Sequence, residues 1–226
     1  MAFSGFPQGA QAFLADLATH NDRDWFAENR ERYERDLLGP EKEFVAEMAS
    51  RFPAFDGRVQ AVPAVDASIF RIYRDVRFSR DKSPYKNHAD LWFWVGSDRK
   101  VAVGYFLRLI PGAVWIGGGI HTLTPEQLER YRNAVVSADA GSRLIEAVDA
   151  VRAAGLKVDG EQRKRLPSGF TAEGERAELL KYLWLHAMER VSPPPPELAR
   201  PEFADWCLAG FGRARPLVDW LVEAVG

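Results

Sequence analysis

The sequence predicts an α+β fold, in which a central antiparallel sheet of about four strands (residues 66–118) is packed by N-terminal and C-terminal helices. Apolar residues follow helical spacing near both ends of the chain, whereas aromatic and β-branched residues fill its middle. Strands that are collected in one region are typical of α+β proteins. We expect a single domain over residues 1–226, with a helical part (8–55), a β-rich part (62–120) and a second helical part (124–226).

Three helices are expected in the first part of the chain. Apolar residues repeat at helical spacing between Phe13 and Ala18. The second helix is expected to begin near Asn21 or Asp22, because either side chain can accept a hydrogen bond from an unpaired amide of the first turn. The third is expected to follow Gly39 and Pro40.

The middle of the chain has the composition of strands. The segments "LWFWV" (91–95), "VAVGYFLRLI" (101–110) and "AVWIGG" (113–118) are rich in aromatic and β-branched residues. The turn sequences "GSDRK" and "PG" separate them, and connections this short join antiparallel neighbours. These segments therefore supply three of the expected strands.

Helical patterns return after the strands. Thr124, Pro125 and Gln127 predict an N-cap, a first-turn proline and a capping-box partner. Further helices are expected over residues 141–155 and 173–190, and a last pair over 201–225.

The composition is that of a globular chain with a small negative charge. Its 226 residues include 14 Phe and 7 Trp, enough for a large core, and the formal net charge is −2. A pI near 6.1 argues against a general polyanion binder, because nonspecific nucleic-acid binding needs a basic field over the whole domain. Nucleic acid is therefore an unfavoured partner, although it is not excluded.

Nothing in the sequence indicates a membrane or a metal. The N-terminus does not resemble a secretion signal, and the longest charge-free stretch, 109–125, is interrupted by glycine and proline. We therefore expect a cytoplasmic protein. The single cysteine, Cys207, excludes an intramolecular disulfide and a cysteine-based zinc site, and we interpret it as a core residue. The sequence identifies neither a cofactor nor an oligomeric state.

A basic segment, "FRIYRDVRFSRDKSPYK" at residues 70–86, contrasts with the acidic remainder of the chain. Between residues 71 and 86, six basic residues against two acidic ones give a formal charge of +4. Residues 68–78 fit the periods of both a strand and a helix. In a strand Arg74 points toward the core, whereas in a helix the arginines are mostly solvated. The β-forming residues favour a strand to Tyr73 followed by a turn-rich loop.

Much of the chain resembles a family of unknown function. The stretch "RIYRDVRFSRDKSPYK" (71–86) is similar to the signature of the family called domain of unknown function 2461, found mainly in bacteria and some fungi. Further similarities are "NDRDWFAENR" (21–30), "GGGI" (117–120) and "LPSGF" (166–170). The resemblance implies no established activity. His121 follows "GGGI" where the family pattern has an aromatic or apolar residue, so no family role is carried over to it.

The first functional hypothesis is a site for a small molecule that bears a phosphate or carboxylate group. Arginine binds such groups through paired hydrogen bonds, lysine binds them as a point charge, and glycine lets the backbone approach closely. The candidate ligand-binding residues are Arg71, Arg74, Arg77, Arg80, Lys82, Tyr85, Lys86, Gly118 and Gly119.

Two alternatives remain open. In the first, Asp75 and Asp81 neutralise Arg74, Arg77 and Lys82, so that the cluster is a structural network in a non-enzymatic interaction protein. In the second, the basic residues and the aromatic residues between them form a weak contact surface for nucleic acid.

No motif indicates catalysis. Asp75, Asp81, His88 and His121 carry groups that can act as acids or bases, and they are weak catalytic candidates. Gly-x-Ser-x-Gly, His-Glu-x-x-His and Walker patterns do not occur, and "HAD" at 88–90 has no metal-ligand spacing. The sequence therefore leaves open whether the protein is an enzyme.

Overall fold

The computed structural model of the chain describes residues 2–96, 98–100 and 102–226. The helices are α1 (Gln8–Thr19), α2 (Arg23–Glu28), α3 (Arg30–Tyr33), α4 (Gly39–Phe55), α5 (Pro125–Val136), α6 (Ala138–Ala153), α7 (Gly174–Leu179) and α8 (Phe203–Val225). A π-helical turn covers Glu34–Leu38, and a 3₁₀ turn covers Pro196–Ala199. The strands are β1 (Val59–Gln60), β2 (Ala89–Val95), β3 (Gly104–Ile110), β4 (Ala113–Ile120), β5 (Lys157–Asp159) and β6 (Leu185–Val191).

The strands form a six-stranded antiparallel sheet within the described ranges, in the order β1-β2-β3-β4-β6-β5. The α+β prediction is therefore confirmed, although the sheet has more strands than expected. Strands β1, β5 and β6 lie outside the predicted sheet region, and β5 pairs with β6, with Asp159 opposite His186. The prediction of one helix over residues 173–190 is wrong in its second half, because α7 ends at Leu179 and the chain continues into β6.

Two predicted helix starts are confirmed by their hydrogen bonds. The Asp22 carboxylate accepts a hydrogen bond from the Trp25 amide at 2.8 Å, and α2 begins at the next residue. At the start of α5, the Gln127 amide donates to the Thr124 hydroxyl, and the Thr124 amide donates to the Gln127 side chain, each at 3.1 Å. These are the reciprocal bonds of a capping box, and they satisfy amides that lack helical partners.

Gly39 and Pro40 do not interrupt the helix that precedes them. The Gly39 amide donates to the carbonyl of Glu34, five residues earlier, and this bond makes the π-helical turn. Proline has no amide hydrogen, so Pro40 cannot make the next helical bond, and the wider turn accommodates this loss. A Cβ atom at Gly39 would lie only 3.0 Å from the Glu34 oxygen. The chain therefore passes directly into α4.

The chain divides into two compact units. The first contains the chain up to Phe93, Phe106–Trp115 and Arg190–Leu208, and the second contains Trp94–Tyr105, Ile116–Glu189 and Ala209–Gly226.

The core of the first unit is built around the ring of Phe44 on α4. This fully buried ring lies 5.7 Å from Phe6, 6.3 Å from Phe93 and 5.5 Å from Phe203, measured between ring centroids. Separations of this size are typical of favourable aromatic pairs. The core therefore joins α4 to the N-terminal segment, to β2 and to the start of α8.

Two buried side chains of the second unit donate hydrogen bonds to backbone carbonyls. The Tyr131 hydroxyl donates to the Leu179 carbonyl at 2.8 Å, and the Trp220 indole donates to the Ala140 carbonyl at the same distance. The two rings pack edge to face with centroids 5.9 Å apart. Helices α5, α6, α7 and α8 are thus tied together by specific bonds as well as by apolar packing.

Candidate functional site

The basic segment, residues 70–86, is a loop with isolated bridges. Ile69 bridges to Leu91 of β2, and Tyr73 bridges to Tyr85, so that the segment folds back on itself. Two backbone amides beside the second bridge donate across the loop at 2.8 and 2.9 Å. The predicted strand ending at Tyr73 is therefore wrong, because each bridge pairs a single residue and no continuous ladder forms between them.

Three cations of the basic segment have partners within it. The Arg74 guanidinium donates to Asp81, and Arg77 Nη2 donates to Asp75 at 2.7 Å. The Lys82 ammonium donates to a backbone carbonyl of the same loop at 2.9 Å. Arg74 is half-buried, whereas Arg77 and Lys82 are exposed. These contacts hold the loop in its folded-back shape.

Asp75 and Asp81, which the sequence offers as acid or base groups, are ionised partners in these contacts. Hydrogen bonds from the side chain and the amide of Arg77 lower the pKa of Asp75 to about 2. Hydrogen bonds from Ser83, followed by the one from Arg74, lower the pKa of Asp81. Carboxylates held this way are poor bases at neutral pH.

The tip of the basic segment is exposed and carries an unusual aromatic side chain. Phe78 is 96% exposed, with the Arg77 guanidinium 5.9 Å from its ring centroid. Arg71 and Arg80 are also exposed, and neither makes a hydrogen bond or an ion pair with any residue that the structure describes. The tip therefore presents the unpaired Arg80 guanidinium and an aromatic ring to the solvent, whereas Arg71 lies before the Tyr73–Tyr85 bridge, at the base of the loop.

Tyr85 fixes the returning end of the loop in the core. Its amide and carbonyl exchange hydrogen bonds with the side chain of Asn21, both at 3.0 Å. Its ring stacks on Phe26 of α2 with centroids 4.1 Å apart, and it is 5% exposed. Tyr85 is thus placed to hold Lys86, the next residue, in a defined position.

The Lys86 ammonium has charged neighbours but no acceptor. Its Nζ atom lies 5.2 Å from the centroid of the Phe70 ring, an arrangement that favours a cation. The side chain is half-buried, and it makes no hydrogen bond or ion pair with the described residues. Burial lowers the pKa of Lys86, and the positive charges of Arg108 and Arg71 lower it further, whereas the charges of Asp90 and Asp66 oppose the shift.

Asp90 is a buried carboxylate that Arg108 holds through both of its oxygens. Arg108 Nε and Nη2 donate to the two oxygens of Asp90 at 2.6 and 3.0 Å, and His88 Nε2 lies 3.4 Å from one of them. Burial alone would raise the pKa of Asp90, but these hydrogen bonds and the charge of Arg108 lower it to about 2. Asp90 is therefore ionised and fully engaged, and His88 lies at its side.

Glu41 brings a buried acid to the same region. It lies in the first turn of α4, directly after the π-helical turn, and is 3% exposed. Burial raises the pKa of Glu41 well above its usual range, and the charge of Asp90 raises it further, although Lys86 opposes the shift. Glu41 therefore keeps its proton to a higher pH than an exposed glutamate does. Turns of π-helix are frequent at functional sites.

These side chains form the Lys86 cluster, which we define as Glu41, Arg71, Lys86, Asp90 and Arg108. All of them belong to the first unit. The cluster combines three cations with an aspartate that Arg108 engages and a glutamate of raised pKa, and the charge of Asp66 also acts on Lys86. The uncommitted donors are those of Lys86 and Arg71, so the cluster is suited to binding an anion.

Gly118, Gly119 and His121 belong to the second unit, where the glycines accommodate close packing. A Cβ atom at Gly118 would lie 2.6 Å from a methyl carbon of Val218. At Gly119 it would lie 2.4 Å from the Cα atom of His186. The His121 ring lies 4.9 Å from that of His186, measured between centroids. The absence of side chains on these glycines is thus required by their neighbours.

The described residues show neither a metal-type cluster nor a membrane span. Within residues 2–96, 98–100 and 102–226, no three His, Cys, Asp or Glu side chains converge as ligands of a metal ion would. No helix in these ranges combines the length and the apolar character needed to cross a membrane.

The chain matches a known protein family. The family model described as "Conserved hypothetical protein (DUF2461)" matches residues 9–220. The chain belongs to this family. The match includes the basic segment and every residue of the Lys86 cluster, and it confirms the resemblance found in the sequence. Neither the curated proteins nor the solved structures include a match to the chain.

Sequence reasoning named Arg71, Lys86 and His88 in this DUF2461 protein, but it missed Glu41, Asp90 and Arg108. Arg108 had a detectable signal, because it is the single charge in the apolar strand "GYFLRLI". Asp90 likewise precedes an aromatic strand run. Glu41 had no comparable signal, because its burial depends on the π-helical turn before it.

Proposed function

We propose that the protein binds a small molecule bearing a phosphate or carboxylate group at the Lys86 cluster. The observation that carries the proposal is the Lys86 ammonium, which is half-buried and has no acceptor among the described residues. A lysine that loses water without gaining a partner raises the free energy of the folded state, and a bound anion recovers this energy.

The neighbours of Lys86 leave room for one further negative charge. Asp90 is engaged by Arg108 through both oxygens, so it does not neutralise Lys86 by a direct contact. Arg71 adds a second uncommitted cation. An oxyanion placed between Lys86 and Arg71 would accept from an ammonium and a guanidinium together, and both groups bind phosphate through charge-assisted hydrogen bonds.

Glu41 adds a hydrogen-bond donor to this proposed site. A carboxyl group that keeps its proton can donate to a bound oxyanion, whereas an ionised carboxylate repels it. The raised pKa of Glu41 therefore favours anion binding near the Lys86 ammonium. It follows that the affinity for the anion should fall at high pH, as Glu41 loses its proton.

The test compares thermal unfolding in phosphate, acetate and chloride at equal ionic strength. Phosphate should raise the Tm of the wild type, and Lys86→Met should show a smaller rise. The matched control is Lys42→Met, which removes an exposed lysine of α4 and should respond as the wild type does. Equal phosphate shifts in all three proteins would overturn the proposal.

A second candidate is that the basic segment is a structural network in an interaction protein. The pairs Arg74–Asp81 and Arg77–Asp75 and the Lys82 contact favour it, because they satisfy half of the segment's cations internally. In this case Asp81→Asn should lower the Tm in the absence of any ligand. An unchanged Tm would count against a stabilising network.

A third candidate is a weak contact with single-stranded nucleic acid at the tip of the loop. The exposure of Phe78 between Arg77 and Arg80 favours it, because bases stack on exposed aromatic rings beside cations. Retention on single-stranded DNA should then decrease with salt and with Phe78→Ala. No retention at low salt would exclude this candidate.

A further inference from the structure

Arg132 of α5, in the second unit, has a buried guanidinium edge without an acceptor. Its Nε and Nη2 atoms are both covered, and neither finds a hydrogen-bond partner in the described part of the chain. A donor that leaves water without an acceptor costs free energy, and a charged donor costs more. Arginine cannot escape this cost by losing its proton. The buried edge of Arg132 therefore lacks an acceptor among the described residues.

The same guanidinium edge holds carboxylates elsewhere in this protein. Arg35, Arg58 and Arg108 each direct Nε and Nη2 to the two oxygens of one aspartate, with N–O distances of 2.6–3.0 Å. This paired geometry matches a planar carboxylate or two oxygens of a phosphate. At Arg132 the edge is present, but no aspartate or glutamate within residues 2–96, 98–100 and 102–226 contacts it. The comparison indicates that the guanidinium edge of Arg132 fits a carboxylate or a phosphate group.

Arg163 brings a second positive charge near Arg132. Its amide donates to the Lys181 carbonyl at 2.8 Å, so the backbone fixes its position beside the strand-like segment that leads into β6. Burial lowers the pKa of Arg132, and the charge of Arg163 lowers it further. The Arg163 side chain is exposed and has no ion-pair partner among the described residues. Two like charges are thus held near each other without a carboxylate to compensate them.

An aromatic ring covers the guanidinium of Arg132. The Phe170 ring, in the segment "LPSGF", has its centroid 5.9 Å from the Arg132 Cζ atom. A cation over an aromatic face is stabilised, but this contact leaves the in-plane N–H groups unsatisfied. The ring therefore stabilises the charge of Arg132 without replacing an acceptor at the guanidinium edge.

We propose that Arg132 and Arg163 bind the oxyanion group of a small molecule, a phosphate or a carboxylate, beneath the segment that carries Phe170. This site lies in the second unit and is independent of the Lys86 cluster. The Nε and Nη2 atoms of Arg132 are buried, so the ligand displaces some of the protein atoms that cover them when it binds. A phosphate dianion is favoured over a carboxylate, because it carries more negative charge and more acceptor oxygens beside two cations.

The experiment titrates inorganic phosphate, and separately acetate, into wild type, Arg132→Gln and Arg163→Gln by calorimetry and by thermal unfolding. Phosphate at ten times its Kd should raise the wild-type Tm by about 3–6 °C. Both variants should weaken phosphate binding about tenfold or more, a loss comparable to that of one charge-assisted hydrogen bond. A preference for acetate over phosphate would assign the site to carboxylates.

Controls separate this site from the Lys86 cluster and from effects on folding. Arg130→Gln removes an exposed arginine from the same helix and should bind phosphate as the wild type does. Arg132→Met should raise the Tm in chloride, because it removes an unpaired buried donor, and it should abolish the phosphate response of this site. A phosphate response that is unchanged in Arg132→Gln and Arg163→Gln, or that disappears in Lys86→Met alone, would overturn the proposal.

Discussion

The free energy of unfolding should depend on pH through Glu41, and Glu41→Gln should remove that dependence. The ordinary pKa of a glutamate is 4.5, and burial, together with the charge of Asp90, raises that of Glu41 well above this value in the folded protein. Between these two pKa values the folded state keeps a proton that the unfolded state has released. The free energy of unfolding therefore falls as pH rises, by at most about 1.4 kcal/mol per pH unit from this one group.

Glutamine keeps the size and the hydrogen-bonding capacity of the protonated side chain but cannot ionise. Glu41→Gln should therefore match the wild type near pH 4 and become steadily more stable than it at higher pH. The gain should grow by about 1.4 kcal/mol per unit until the folded-state pKa of Glu41 is passed, and then level off.

The assay is urea unfolding of both proteins at half-unit steps between pH 4.5 and 8. The difference between the two free energies isolates Glu41, because the other titrating groups are common to both proteins. Glu43→Gln, on the same helix, controls for the loss of a carboxylate. A difference that stays constant across the pH range would refute the assignment of a raised pKa to Glu41.

Two further predictions concern stability. Asp90→Asn should lower the free energy of unfolding, measured by urea unfolding, by about 2–4 kcal/mol. The variant leaves the Arg108 guanidinium without its charge partner. A change below about 1 kcal/mol would contradict a buried ion pair between Asp90 and Arg108. Gly119→Ala should lower the free energy of unfolding more than Gly112→Ala does in the same assay. A Cβ atom at Gly119 would lie 2.4 Å from the Cα atom of His186, whereas nothing lies within 4 Å of one at Gly112. Equal decreases would show that backbone strain alone decides the loss of stability.

The features predicted correctly from the sequence are those determined by neighbouring residues. The capping box of Thr124 and Gln127 and the cap at Asp22 depend on side chains three residues apart, so the sequence contains all the information needed. The wrong predictions involve distant partners. Residues 185–191 form a strand because they pair with β5 and β4, and no local pattern in "LKYLWLHAMER" reveals these partners.

The candidate site shows the same division. The basic segment was recognisable because its charges lie within a short stretch, but Glu41, Asp90 and Arg108 come from α4, β2 and β3. Their meeting depends on the fold of the first unit, and the burial of Glu41 depends on the hydrogen bond from Gly39 to Glu34. The sequence alone therefore does not show that these three residues lie near one another.

Phosphate binding to Lys86 can be measured most directly after the second proposed site has been removed. The measurement is a calorimetric titration of inorganic phosphate into Arg132→Gln and into Arg132→Gln with Lys86→Met. Saturable binding to the first protein, weakened about tenfold or more in the second, is the expected result, because one charge-assisted hydrogen bond is lost. The same Kd in both proteins would contradict an anion site at the Lys86 cluster.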